Sequence, residues 1–193
     1  MRRLFLASML ALALPFSAQA QMVEAGGAKF ESTVDVAGSK LVINGAGVRF
    51  RAVFKVYAVA LYVPQKGSTP ESIIGQAGAK RVSLHMLRDV DGKDLGKAFT
   101  DAMEKNMLPE ERARSINGVF KFGQVFSERK KLASGDIVNV DWVPNVGAQV
   151  FVDGKAVGDV IKEPEFYSSL LRIWLGANPP SADLKEQLLG KKR

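Results

Sequence analysis

Apolar and polar positions alternate along some stretches of this 193-residue chain and recur every three to four residues along others. Alternation over several residues is typical of half-buried β-strands. Ala37-Gly38 and Asp153-Gly154 carry turn chemistry and predict tight turns between neighbouring strands. The predicted strands are 30–36, 41–43, a long strand-forming segment at 48–63, and then 81–87, 137–143, 146–152 and 155–161.

The helical spacing of apolar residues predicts the remaining elements. Thr69 and Asp91 are expected N-caps, and Pro109 and Pro164 are expected to begin helices. Because the strands cluster along the chain and do not alternate with helices, the predicted class is α+β, with helices on one face of an antiparallel sheet. The expected apolar faces are Leu95, Phe99, Met103 and Met107 in one helix, and Ile116, Val119, Phe120, Gly123 and Phe126 in the next.

The first twenty residues have the pattern of a secretion signal. Arg2 and Arg3 precede an apolar stretch at 4–16, and Ala18-Gln19-Ala20 matches a small-x-small cleavage site. We predict cleavage after Ala20, export to the periplasm, and a single domain over residues 21–193. An N-terminal membrane anchor is the alternative, and the short apolar stretch disfavours it.

Composition excludes several kinds of chemistry. The chain has no Cys and a single His, His85, which excludes thiol redox chemistry and multi-histidine metal sites. We therefore expect no metal and no cofactor. The net charge of +7 becomes +5 without Arg2 and Arg3, and we interpret it as a solvated basic surface. No nucleic-acid motif accompanies it, so we expect no nucleic-acid partner. Attraction of small acidic ligands, proximity to a membrane surface and the oligomeric state stay open.

The segment at 45–63 combines strand-forming residues with cations and a phenol. Arg49, Arg51, Lys55 and Tyr57 share one parity and would lie on one face of a regular strand. That face is either a solvated edge or an anchor for an acidic ligand. An Arg guanidinium matches a carboxylate with two hydrogen bonds, and a Tyr hydroxyl adds another donor.

Distance limits the anchor hypothesis. Eight residues of straight strand span roughly 26 Å, so Arg49 and Tyr57 can hold one headgroup only if the chain bends or reverses between Phe50 and Phe54. The nearby Gly45-x-Gly47 lacks a third glycine and precedes a strand. It therefore predicts a turn or bulge, not a phosphate-binding loop.

Gly45-Ala46-Gly47-Val48-Arg49, followed by an aromatic strand that ends in Leu61-Tyr62-Val63, resembles the chalcone isomerase family, in particular its bacterial exported branch. The similarity extends more loosely over about residues 28–189. The resemblance implies an open-faced β-sandwich, in which a large antiparallel sheet packs against helices and a ligand cleft lies between them. It also implies that Arg49 holds the ligand, and it places Tyr57 where the plant enzymes have a Thr.

The resemblance also argues against catalysis. The family's catalytic Tyr corresponds to Leu95, a neighbouring Lys to Ala98, and an active-site Asn to a position near Ala102. Loss of one preorganised donor typically lowers the rate about a hundredfold or more. Arg49 with Tyr57 is similar instead to the fatty-acid-binding members of the family.

We therefore predict a non-catalytic periplasmic protein that binds a fatty acid or similar amphipathic carboxylate. One alternative is an isomerase, an intramolecular lyase acting on a flavonoid-like enone. The other is an envelope interaction protein, with Arg49 paired internally and a vestigial cleft. The predicted ligand contacts are Arg49, Tyr57, Arg51, Leu95 and Phe99, with Phe54 and Met103 as further candidates for the apolar wall.

Overall fold

The computed structural model describes residues 21–191, so the predicted signal at 1–20 lies outside the described residues. The early strands are β1 (Met22–Ala25), β2 (Ala28–Glu31), β3 (Thr33–Val36), β4 (Ser39–Arg51), β5 (Phe54–Val63), β6 (Lys80–Met86) and β7 (Val90–Asp91). The late strands are β8 (Lys131–Leu132), β9 (Ile137–Val143), β10 (Gly147–Val152) and β11 (Lys155–Ile161). The helices are α1 (Pro70–Ile74), α2 (Gly92–Asn106), α3 (Pro109–Ser127), α4 (Pro164–Leu175) and α5 (Ala182–Leu188).

Seven strands form one antiparallel sheet in the order β11-β10-β9-β6-β5-β4-β3. Two short pairs, β1–β2 and β7–β8, lie outside this sheet. Strands that follow one another in the chain are mostly neighbours in space, as short hairpin connections require. The arrangement confirms the predicted α+β class and the antiparallel sheet packed against helices.

The interior strand β5 is buried on both faces. Tyr57, Val59 and alternate residues beyond them pack toward the helices, in the same cluster as Phe99. Ala58 and the other alternate set pack on the opposite side, in the cluster that contains Phe30 of the β1–β2 hairpin. Burial on both faces explains why the sequence of β5 is a nearly continuous run of apolar residues and does not alternate between apolar and polar residues.

Side-chain caps set where α1 and α2 begin. Asp91 accepts a hydrogen bond from the backbone N–H of Asp94 at 3.1 Å, and Thr69 forms a reciprocal capping box with Ser72. Both confirm the predicted N-caps. α2, α3 and α4 then pack on one another and on the sheet. Among residues 21–191, no helix combines the length and the apolar character needed to cross a membrane.

The segment at 48–63 is a hairpin and not one strand. β4 and β5 are joined at Ala52 and Val53, and Ala52 adopts a positive φ of 53°. The chain therefore reverses where the anchor hypothesis requires it, and Arg49 lies directly opposite Tyr57. Phe54 lies near the hairpin tip with 60% of its surface exposed.

Gly45 and Gly47 lie inside β4, where helix α5 crosses the strand closely. A register shift occurs between Ile43 and Gly45, so the predicted bulge is present and a separating turn is not. A Cβ on Gly45 would lie 2.0 Å from the carbonyl oxygen of Gln187, and one on Gly47 would lie 2.7 Å from Leu184. The two glycines allow the helix backbone to approach the sheet.

Gly45→Ala is expected to lower the free energy of unfolding by about 1–3 kcal/mol, because α5 must move away from β4 to admit the methyl group. Gly75→Ala is the control, since Gly75 has an ordinary φ of −75° and ends a short helix. Urea unfolding of both variants measures the difference. Equal stability of Gly45→Ala and the parent protein would contradict the close approach.

The apolar face expected for α3 is partly wrong. Ile116 and Phe120 are 59% and 66% exposed, whereas Phe122 is fully buried. The inward face also carries Gly118, whose Cβ would meet the side chains of Ile161 and Phe166 at under 3.0 Å. Because α3 packs so closely against β11 and α4, the small residues Ser115 and Gly118 are buried beside larger apolar side chains, and hydrophobicity alone does not identify them.

Candidate functional site

A cleft of about 690 Å³ lies between the β4–β5 hairpin, α2 and the loop that follows α4. This volume falls within the range of small-molecule sites, about 300–1,000 Å³. All five predicted contact residues line the cleft. These five residues are Arg49, Arg51, Tyr57, Leu95 and Phe99. Arg49 and Arg51 lie on β4 and Tyr57 lies on β5, so the reversal of the hairpin brings them to one side of the cleft.

Arg49 is half-buried at one side of the cleft and lies directly across the hairpin from Tyr57. Its Nη1 donates to the backbone carbonyls of Phe50 and Pro180, the latter at 3.4 Å. Within residues 21–191, no carboxylate forms an ion pair with Arg49. The guanidinium is therefore oriented by neutral main-chain groups and keeps its charge available to an anion.

Tyr57 is 4% exposed, and its hydroxyl oxygen accepts a hydrogen bond from Nε1 of Trp174 at 3.1 Å. Burial raises the pKa of Tyr57 to about 12, while Trp174 and Arg49 act in the opposite direction. The phenol therefore stays protonated near neutral pH. In the described part of the chain, its own O–H has no hydrogen-bond acceptor, so it is a donor that a ligand carboxylate can use.

The inner wall of the cleft is apolar. Leu95, Ala98 and Ala102 follow one another along α2, and Ile173 faces them from α4. Phe99 supports this wall from beneath, with its ring centroid 6.1 Å from Tyr57. Three further rings surround it, at 5.4 Å for Phe126, 5.9 Å for Phe122 and 6.0 Å for Trp174. A wall built this way can cover hydrocarbon, while the ionisable residues of α2 that line the cleft are Asp94, Asp101 and Lys105.

The mouth of the cleft carries charges of both signs. Three of its acidic residues are already engaged, since Asp89 pairs with Lys131 at 2.6 Å, Asp101 pairs with Lys97 at 2.6 Å, and Asp91 caps α2. The hydrogen bond and the charge of Lys131 hold the pKa of Asp89 below its usual range. The cations on the lining have no ion-pair partner among residues 21–191 and favour an incoming anion; they are Arg49, Arg51, Arg88 and Lys105.

The loop after α4 closes one end of the cleft and is held by α2. Nδ2 of Asn106 donates to the carbonyl of Asn178 at 3.0 Å, and the Asn178 N–H donates back to Oδ1 of Asn106 at 2.7 Å. Nζ of Lys185 adds a hydrogen bond to the Gly176 carbonyl at 2.8 Å. These contacts place the Pro180 carbonyl, which in turn orients Arg49.

Two further wall residues expected from the sequence are not on the lining. Phe54 projects into solvent, and Met103 is fully buried beneath the wall. Sequence reasoning also missed Trp174 as the partner of Tyr57, and Asn178 at the closed end. The only signal for Trp174 was its place on the inward face of the last long helix, which indicates burial without indicating its partner.

The three tyrosines of the chain, Tyr57, Tyr62 and Tyr167, are all held in the neutral form. Burial raises each pKa, to about 12 for Tyr57 and Tyr62 and well above 10.0 for Tyr167. Because the folded state keeps protons that the unfolded state loses near pH 10, stability is expected to fall as pH rises above about 10. Phenolate absorbance should appear together with loss of circular dichroism. A phenolate signal near pH 10 from the folded protein would contradict this burial.

A family model described as chalcone isomerase-like matches residues 22–190. Among solved structures, the chain is similar to a fatty-acid binding protein of Arabidopsis thaliana, at 15% sequence identity and a TM-score of 0.66. The alignment covers 88% of this chain and 96% of that chain. No curated protein sequence matches. The structural likeness confirms the predicted fold, a large curled antiparallel sheet packed against helices.

Proposed function

The chain belongs to the chalcone isomerase-like family, and from this premise we propose that it binds a fatty acid or a similar amphipathic carboxylate without chemical conversion. The observation that carries the proposal is the pairing of Arg49 with Tyr57 across one hairpin, beside an apolar wall. Arg49 supplies a positive charge and Tyr57 a protonated hydroxyl, which together match a carboxylate. The similarity to a fatty-acid binding protein of Arabidopsis thaliana supports the same ligand class.

The composition of the wall supports binding over conversion. An isomerase that closes an enone needs a polarised ketone and an oriented phenolate. The α2 positions that correspond, by the family resemblance, to the isomerase's catalytic side chains are Leu95, Ala98 and Ala102, and all three line the cleft. None of these side chains can donate or accept a proton. They give instead a surface suited to methylene groups, each of which contributes about 0.8 kcal/mol when buried.

Two features argue against a vestigial cleft. A filled cleft with an internally neutralised arginine was the expectation for an interaction protein of the envelope. The cleft instead has a volume of about 690 Å³. Arg49 contacts main-chain carbonyls and, within residues 21–191, no carboxylate.

We further propose that this binding takes place in the periplasm, after removal of residues 1–20. The proposal rests on the signal-like pattern of Arg2, Arg3 and the Ala18-Gln19-Ala20 site. N-terminal sequencing of the protein from a periplasmic fraction is expected to begin at Gln21. An intact N-terminus on protein in the cytoplasmic fraction would overturn it.

Displacement of a fluorescent fatty acid by unlabelled saturated acids of increasing length tests the proposed function. Affinity is expected to rise by up to about fourfold per methylene until the wall is covered, since each buried methylene contributes about 0.8 kcal/mol. Saturable displacement at one site supports the proposal. Absence of displacement by every acid tested, or turnover of a chalcone above the spontaneous rate, would overturn it.

A further inference from the structure

The tip of the β4–β5 hairpin exposes apolar side chains together with cations. Phe50, Val53 and Phe54 have 44%, 82% and 60% of their surface exposed. Arg51 and Lys55 are exposed beside them, and the tip from Arg49 to Tyr57 contains no acidic residue. Clustered apolar exposure of this kind commonly marks an interaction surface.

The tip has the same chemistry on both of its faces. Residues opposite each other in an antiparallel pair share a face, and Arg51 is opposite Phe54 while Phe50 is opposite Lys55. Each face therefore carries one aromatic ring and one cation, and the most exposed apolar residue, Val53, lies at the turn. The guanidinium of Arg88 adds a cation 5.3 Å from the Phe54 ring centroid. This arrangement suits end-on insertion better than contact with a flat protein surface.

We propose that the hairpin tip docks on a bilayer that contains anionic phospholipids. Aromatic and aliphatic side chains partition into the interfacial region of a membrane, while nearby cations stay at the level of the headgroups. Basic residues near an anionic surface are attracted by its negative potential. The tip supplies Arg51 and Lys55 with no acidic residue between positions 49 and 57, and Arg88 lies beside Phe54. The charge of the tip is thus complementary to phosphate groups.

The tip and the ligand cleft are continuous. Arg51 belongs both to the tip and to the lining of the cleft, Arg88 lies beside Phe54 on the same lining, and Arg49 lies just behind them. End-on docking would therefore set the mouth of the cleft against the headgroup layer. A fatty acid leaving the bilayer would meet these cations before its carboxylate reaches Arg49 and Tyr57. This route for the ligand rests on the proposed function, whereas docking itself rests on the tip alone.

A second exposed apolar pair gives a matched control. Ile116 and Phe120 lie on the outer side of α3 and are 59% and 66% exposed, similar to Phe54 at 60% and below Val53 at 82%. The surrounding groove includes both Lys93 and Glu104, so it has mixed charge. Loss of this pair should not affect attraction to an anionic membrane through the hairpin tip.

Co-sedimentation with vesicles tests the docking. The parent protein should bind vesicles of phosphatidylglycerol and phosphatidylcholine, bind phosphatidylcholine alone more weakly, and be released by salt. The double variant Val53→Ser/Phe54→Ser is expected to lower binding to the mixed vesicles by about tenfold, from lost apolar burial. Ile116→Ser/Phe120→Ser should bind like the parent. No sedimentation of the parent, or equal loss in both double variants, would overturn the proposal.

Ligand binding measured without vesicles separates this inference from the proposed function. Val53→Ser/Phe54→Ser should keep the affinity of the parent for a fatty acid in solution, because neither side chain lines the cleft. Arg49→Gln should lose fatty-acid affinity and still sediment with vesicles. If vesicle binding fails while fatty acid still binds, the docking is wrong. If fatty acid fails to bind while vesicles still bind the parent through the tip, the proposed function is wrong.

Discussion

Arg49→Gln is expected to bind a long-chain fatty acid about tenfold to a hundredfold more weakly than the parent protein. A hydrogen bond to a charged group contributes about 1.5–3 kcal/mol, and glutamine keeps some polarity without the charge. The substitution should weaken binding of the carboxylate headgroup and leave the fold intact, since Arg49 is half-buried and makes no ion pair within residues 21–191. Displacement of a fluorescent fatty acid measures the change.

Two controls separate a specific anchor from general charge. Arg112→Gln removes an exposed cation of α3 that does not line the cleft, and affinity should stay within about twofold of the parent if only distant screened charge is lost. Arg49→Gln should lower the affinity for a fatty alcohol of the same chain length much less than it lowers the affinity for the acid. An equal effect of Arg49→Gln on acid and alcohol would show that Arg49 does not hold the carboxylate.

Phe99→Ala is expected to lower the free energy of unfolding by about 3–5 kcal/mol. Phe99 is 3% exposed and its ring lies between Tyr57, Trp174 and two phenylalanines of α3, so truncation leaves a cavity that rigid neighbours cannot fill. Chemical denaturation measures the change. The hydrogen bond between Trp174 and Tyr57 should also become looser, and fatty-acid affinity should fall in the same variant.

Phe120→Ala is the matched control for Phe99→Ala. Phe120 is 66% exposed on the outer side of the neighbouring helix, and its truncation should change stability by no more than about 0.5 kcal/mol. A loss below about 1.5 kcal/mol for Phe99→Ala would mean that the wall is loosely packed. The cleft would then be less preformed than the ring distances indicate.

Local patterns in the sequence were sufficient for much of the fold. The Asp153-Gly154 turn between β10 and β11, the Asp91 cap of α2 and the start of α4 at Pro164 each depend on a few neighbouring residues, and each was predicted. The buried face of α3 was not predicted correctly. Gly118 lies on that face because the side chains of Ile161 and Phe166, from distant parts of the chain, pack directly against it. Burial of a small residue is a property of its partners, and hydrophobic periodicity does not record it.

The sequence was sufficient to select some of the residues that line the cleft, but not their arrangement or the contacts that hold them. Arg49 and Tyr57 were selected by their chemistry and by the family resemblance, while the hairpin that joins them turns at Ala52 and Val53, which carry no Gly, Pro or Asn signal. The closed end depends on hydrogen bonds between Asn106 and Asn178, which are 72 positions apart. Contacts over such separations leave no local pattern.

The central claim is that Arg49 and Tyr57 hold the carboxylate of one fatty acid whose chain lies along the wall of α2. Native mass spectrometry of detergent-free protein, isolated from cells that express either the parent or Arg49→Gln, tests it most directly. We expect the parent to carry a single adduct with the mass of a long-chain fatty acid, and Arg49→Gln to be largely free of it. A parent protein with no acyl adduct, and none after incubation with fatty acid, would contradict the claim.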